Sequence, residues 1–142
     1  MDLTLPLEID TIKGFLDPAE GAALYHLAAN ASDLGPCLEV GSYCGKSTVY
    51  LGSACKLMDN ILFAIDHHRG SEEHQPGEEY HDDELYDART QLMDSFHQFR
   101  VNMRAAQLEE CVVPVVAPSA VAAKRWNTPL GLVFIDGGHP LE

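Results

Sequence analysis

Four short apolar runs punctuate the chain, at 37–40, 61–65, 112–116 and 130–135, each bounded by turn or helix signals. None alternates cleanly, and continuous apolar runs of this length suit strands buried on both faces of a parallel sheet. Helical patterns separate them. Asp17-Pro18-Ala19-Glu20 places an N-cap acid, a proline at the first helical position and a glutamate at the third. This predicts a helix running to about residue 33, stopped by Gly35-Pro36. Residues 45–57 predict a second helix. Residues 83–108 predict a longer third one, in which Leu85, Leu92, Phe96, Phe99 and Met103 mark one apolar stripe. A shorter helix is expected after Pro118-Ser119. Such alternation predicts an α/β fold with a doubly wound parallel sheet and right-handed crossovers.

Two polar segments interrupt this pattern at positions where such sheets bind ligands. The stretch between Asp66 and Asp83 carries His67, His68, His74 and His81 among acids, and loops this long often act as lids or binding loops. These histidines could bind a metal, but no two have a clean ligand spacing, and a solvated acidic lid is the expectation. The other segment is Leu38-Glu39-Val40-Gly41-Ser42-Tyr43-Cys44-Gly45-Lys46-Ser47-Thr48, between a strand and a helix. Small residues there permit close backbone approach, and free N–H groups face a ligand. A phosphate-binding loop needs four residues between its glycines, and Gly41 and Gly45 enclose three. The G-x-G-x-x-G dinucleotide fingerprint is absent as well. What remains is Glu39-x-Gly41-x-Tyr43-x-Gly45, an acid followed by glycine or small residues at alternate positions.

That run resembles the first motif of class I S-adenosylmethionine-dependent methyltransferases, specifically the catechol O-methyltransferase-like branch, in which a tyrosine at the Tyr43 position is usual. The resemblance implies a Rossmann-like domain that binds S-adenosylmethionine through Glu39, Gly41, Ser42, Tyr43 and Gly45, with Ser47 holding the cofactor's carboxylate. Asp66, ending the second apolar run, can accept both ribose hydroxyls as an ionised carboxylate, or it simply caps the following turn. His67 beside it joins the expected cofactor set. Ser119 matches the position family members use beside the adenine, and alone it would be a plain N-cap.

Leu132-Val133-Phe134-Ile135-Asp136-Gly137-Gly138-His139 brings another acid to a strand end. In metal-dependent members of the resembling family an acid at the Asp136 position ligates a divalent ion, and a base stands three residues later. His139 has that spacing, although lysine is more usual there. The implied chemistry is in-line methyl transfer to an oxygen of a small molecule, with His139 as base and Asp136 holding a Mg²⁺. Otherwise His139 caps a turn or orients Asp136. The phrase Ile135-Asp136-Gly137-Gly138-His139, with His67-His68-Arg69-Gly70-Ser71, also resembles an uncharacterised bacterial methyltransferase group. Non-catalytic binding of S-adenosylmethionine, and a nucleotide or NAD enzyme, are the alternatives.

A complete domain of the resembling class has seven strands, so this chain is expected to be truncated after the fourth. Residues 1–36 form an arm and helix, and 37–142 the cofactor-binding half. The fourth strand would then be a bare edge, and it or the N-terminal helix could make a homodimer.

Charge adds an exclusion. The 142 residues carry 22 acids against nine Lys and Arg, a formal net charge of −13. Nucleic acids and anionic membranes are disfavoured partners, while a cationic cofactor meets no such penalty. No apolar run approaches the roughly 20 residues of a membrane span, and the start lacks a secretory pattern, so a cytoplasmic protein is expected. Cys37, Cys44, Cys55 and Cys111 form no C-x-x-C pair and are expected to be reduced.

Overall fold

A computed structural model of the chain describes residues 3, 5–70, 85–87, 89 and 92–136. A 3-10 turn at Ile9–Thr11 precedes helix α1 (Pro18–Ala31). The Asp17 side chain accepts from the Ala19 N–H at 2.8 Å, and Pro18 occupies a position whose missing N–H costs nothing. Strand β1 (Cys37–Val40), helix α2 (Lys46–Leu57) and strand β2 (Leu62–Ile65) follow. After them come the short strands β3 (Tyr86–Asp87) and β4 (Leu92–Met93), then helix α3 (Phe96–Ala105). Strand β5 (Val112–Val115), helix α4 (Ser119–Ala123) and strand β6 (Leu132–Ile135) complete the order.

The four longer strands form a parallel sheet in the order β5-β2-β1-β6. The inner strands are buried as expected: Cys37, Leu62 and Ala64 have no exposed surface. The outer pair is more open, with Val113 40%, Val133 49% and Ile135 70% exposed. An edge strand packs on fewer neighbours, so burial on both faces fails there. All four cysteines are free and buried.

The expected long helix over 83–108 is corrected. Among the described residues of that span, Tyr86 pairs with Met93 and Asp87 with Leu92 in an antiparallel hairpin, and the α-helix is confined to Phe96–Ala105. The Asp94 N–H donates to the Leu85 carbonyl at 2.7 Å, closing the hairpin, while Asp94 Oδ1 accepts from the Phe96 N–H and starts α3. Leu85, Phe99 and Met103 are buried, but Leu92 is 43% exposed, because strand geometry turns it away from the stripe.

Helices α1 and α2 cross closely at Gly21. A Cβ there would lie 2.4 Å from the ring of Tyr50, a side chain only 5% exposed and unable to swing aside. Gly21→Val is therefore expected to cost about 2 kcal/mol through overpacking, lowering the thermal midpoint by several degrees without altering the sheet. Thermal denaturation followed by circular dichroism checks this, and an unchanged midpoint would contradict the crossing.

Candidate active site

The chain leaves β1 for β2 and β5 on one side, then returns to β6 on the other. The order therefore reverses between β1 and β6, a switch point at whose carboxyl edge open α/β sheets bind ligands. Hydrogen bonds fasten the strand ends around it. The Gly41 N–H donates to Ile65 O at 2.8 Å, and the Asp136 N–H donates to Val40 O at 2.8 Å. Asp66 and Asp136 thus flank Gly41.

Between β1 and α2 the backbone visits positive φ three times, at Gly41 (93°), Tyr43 (49°) and Gly45 (99°). This conformation explains the glycines at 41 and 45. Gly45 is also pressed on α3, where an added Cβ would meet the Met103 methyl at 2.6 Å. Asn102 Nδ2 donates to Cys44 O at 2.8 Å from the same helix. Ser42 is 2% exposed, and its hydroxyl has no hydrogen-bond partner among the described residues, an orphan that a ligand can satisfy.

Asp66 is the hub. Its Oδ2 accepts from the Tyr43 N–H at 2.7 Å and its Oδ1 from the His68 N–H at 2.8 Å. A carboxylate offers about four acceptor sites, so two backbone donors leave room for two more. The alternative of a plain turn cap is thereby widened: the acid caps its own turn and also ties it to the glycine loop.

Glu39 is fully buried one residue inside the strand end, accepting from the hydroxyls of Ser47 and Thr48. Burial pushes its pKa up to about 7, opposed by those two hydroxyls and reinforced by the charges of Asp136 and Asp66. A hydroxyl has one proton, so Ser47 cannot donate to Glu39 and to a ligand carboxylate together.

The remaining expected residues are spread along the same edge. His67 is exposed, with its Nδ1 accepting from the Arg69 N–H at 2.9 Å. Ser119 is exposed as the first residue of α4, and the nearby Ala117 N–H donates to Asp66 O at 3.2 Å. Asp136 is exposed at the end of β6. His139, Gly137 and Gly138 lie outside the described residues, as do His74 and His81.

His68 departs from the expected solvated acidic lid, of which residues 71–82 lie outside the described residues. It is 1% exposed, its ring lying beside the Phe96 and Phe99 rings. Burial pushes its pKa below the ordinary imidazole value, against the pull of Asp66 and Asp94. Thr48 and Asn102 carry no expectation from the sequence. The tandem hydroxyls Ser47-Thr48 were the available signal for the first, and nothing local marks the second.

Among the described residues, no group of three or more His, Cys, Asp or Glu side chains is placed to hold a metal ion. No helix among them is long and apolar enough to cross a membrane.

Residues 38–142 match the model of a family described as a methyltransferase domain, and the chain belongs to that family. Its fold is similar to that of cofactor-bound Rv0187 from MTB, with a TM-score of 0.60 and 20% identity over 89% of this chain. It is also similar to the O-methyltransferase TomG from Streptomyces achromogenes, involved in tomaymycin synthesis and solved with SAM, at TM-score 0.58, 16% identity and 87% coverage. A third similar structure is SAH-bound methyltransferase PaMTH1 from Podospora anserina, at TM-score 0.61, 13% identity and 87% coverage. The chain spans 48%, 45% and 42% of these proteins respectively, about half their length.

Proposed function

We propose that this chain is the cofactor-binding half of an S-adenosylmethionine-dependent O-methyltransferase acting on a hydroxyl of a small molecule. The observation that carries this reading is the Asp66 carboxylate, held by two backbone N–H groups beside a glycine loop, with acceptor capacity left for a ribose. S-adenosylmethionine, when bound, supplies an electrophilic methyl group on a sulfonium. Asp66 accepts from the ribose hydroxyls. Gly41, Tyr43 and Gly45 shape the backbone around the ligand, and the orphaned Ser42 hydroxyl gains a partner. Ser47 meets the amino-acid end once its proton turns from Glu39. His67 and Ser119 border the adenine.

On the acceptor side, His139 would take the proton of the hydroxyl whose oxygen gains the methyl group as its bond to sulfur breaks and S-adenosylhomocysteine leaves, a role that suits an imidazole side chain. Asp136 orients the acceptor and is the residue through which Mg²⁺ would be held. The described residues do not by themselves complete a metal site, so no step is assigned to one.

Calorimetry with S-adenosylmethionine, NAD and ATP tests the reading. Binding of S-adenosylmethionine alone is the expected result. Tight NAD or ATP binding without it would reject the proposal. A second reading is cofactor binding without turnover. Assays with catechols, hydroxylated sugars and polyketides, with and without Mg²⁺, separate the two: turnover supports the enzyme, and binding without turnover supports the alternative.

A further inference from the structure

We infer that His68 is a positioning residue for the Asp66 carboxylate, clamping the loop after β2 to the start of α3 through Ser95; the inference rests on the cofactor reading above.

Three bonds define the clamp. The His68 N–H donates to Asp66 Oδ1 at 2.8 Å. Its carbonyl accepts from the Ser95 N–H at 2.9 Å. Its Nδ1 shares a hydrogen bond of 2.7 Å with the Ser95 hydroxyl. Two of the three therefore reach one residue at the start of α3, and the third reaches the carboxylate.

The backbone shows that this arrangement is imposed by its surroundings. His68 has φ +63°, a left-handed conformation that an L-residue adopts at a cost. Only packing and hydrogen bonds oppose that cost. The ring lies 5.2 Å from the Phe96 centroid and 5.4 Å from that of Phe99. Phe99 in turn lies 3.3 Å from where a Cβ on Gly45 would stand. Phe99 thus backs both the imidazole and the glycine loop, and Asp66 joins the same two segments through Tyr43 and His68.

Ser95 has no competing duty. It is the N-cap residue of α3, yet its side chain makes no capping bond; Asp94 Oδ1 accepts from the Phe96 N–H instead. A hydroxyl at a helix start usually serves the helix. This one is committed to the imidazole. His68 Nε2 is buried without a hydrogen-bond partner among the described residues, so the ring's polar contact on this side of the loop is the one to Ser95.

A positioning role through Asp66 predicts a loss confined to ligands that carry ribose hydroxyls. The full chain is titrated calorimetrically with S-adenosylhomocysteine and with its 2′,3′-dideoxy analogue. The wild type should prefer the former by at least about 100-fold, since a site built for hydroxyls rejects ligands lacking them. Ser95→Ala and His68→Phe should each weaken S-adenosylhomocysteine about tenfold while changing the analogue less than about twofold, shrinking the preference. His68→Asn, which tolerates left-handed backbone and keeps a polar group near the Nδ1 position, should restore most of it. Equal weakening of both ligands in Ser95→Ala, or no change in either, would overturn the positioning role alone. Failure of the wild type to bind S-adenosylhomocysteine would overturn the cofactor reading and this inference with it. Should His68→Phe fail to fold, Ser95→Ala decides.

Discussion

Asp66→Asn is expected to weaken S-adenosylmethionine binding by about 100-fold and to destabilise the unliganded protein in the same step. The carboxylate accepts from Tyr43 N–H on one oxygen and His68 N–H on the other. An amide has only one oxygen, so either orientation points an NH₂ donor at a backbone N–H donor. One backbone donor is left unsatisfied in a part-buried position, at about 1–3 kcal/mol. The ligand then loses twice. The charge that strengthens bonds to its ribose hydroxyls is gone, and one of the two acceptors is gone with it; charge-assisted bonds contribute roughly 1.5–3 kcal/mol each. Calorimetry reads the affinity and thermal denaturation the stability. Retention of affinity within about threefold would show that Asp66 is a turn cap and nothing more.

The sheet and the glycine loop were legible in the sequence because local chemistry encodes them. Runs such as Cys37-Leu38 and Leu62-Phe63-Ala64-Ile65 lie between turn signals, and the observed strands sit within one or two residues of the expected bounds. Asp17-Pro18 announces α1 by a cap that needs no distant partner. The hairpin before α3 was hidden for the opposite reason. Two-residue strands are too short to show alternation, and the spacing of seven between Leu85 and Leu92 imitates a helical stripe. The cue that could have corrected it was Asp94-Ser95 just before Phe96.

His68 was illegible for a third reason. It stands in a polar run, and what buries it, Phe96 and Phe99, lies 28 and 31 positions further on, beyond any local pattern. Glu39 was recognised as a site residue, but its enclosure was not. That depends on the first turn of α2 folding back so that Ser47 and Thr48, eight and nine residues later, cover both carboxyl oxygens.

The enclosure of Glu39 sets the second large expectation, that Glu39→Gln flattens the response of both stability and cofactor affinity to pH. Its pKa, ordinarily 4.5, stands at about 7 in the fold. A raised value means the protonated acid is the form the fold prefers. The stabilisation is complete below pH 4.5 and is lost as pH rises through about 7. Each tenfold change in proton affinity corresponds to roughly 1.4 kcal/mol, so about 3 kcal/mol is at stake for a group wholly out of water. Wild type should therefore lose stability relative to the glutamine variant between pH 5 and pH 8, to about that extent. Cofactor binding should run the other way. A cationic ligand near this acid favours its ionised form, so binding below pH 7 must expel a proton and affinity must climb as pH increases. Calorimetry in buffers of different ionisation enthalpy measures that proton directly. Identical pH slopes for the two proteins would mean that Glu39 is already ionised in the free fold, and that the hydroxyls of Ser47 and Thr48 outweigh its burial.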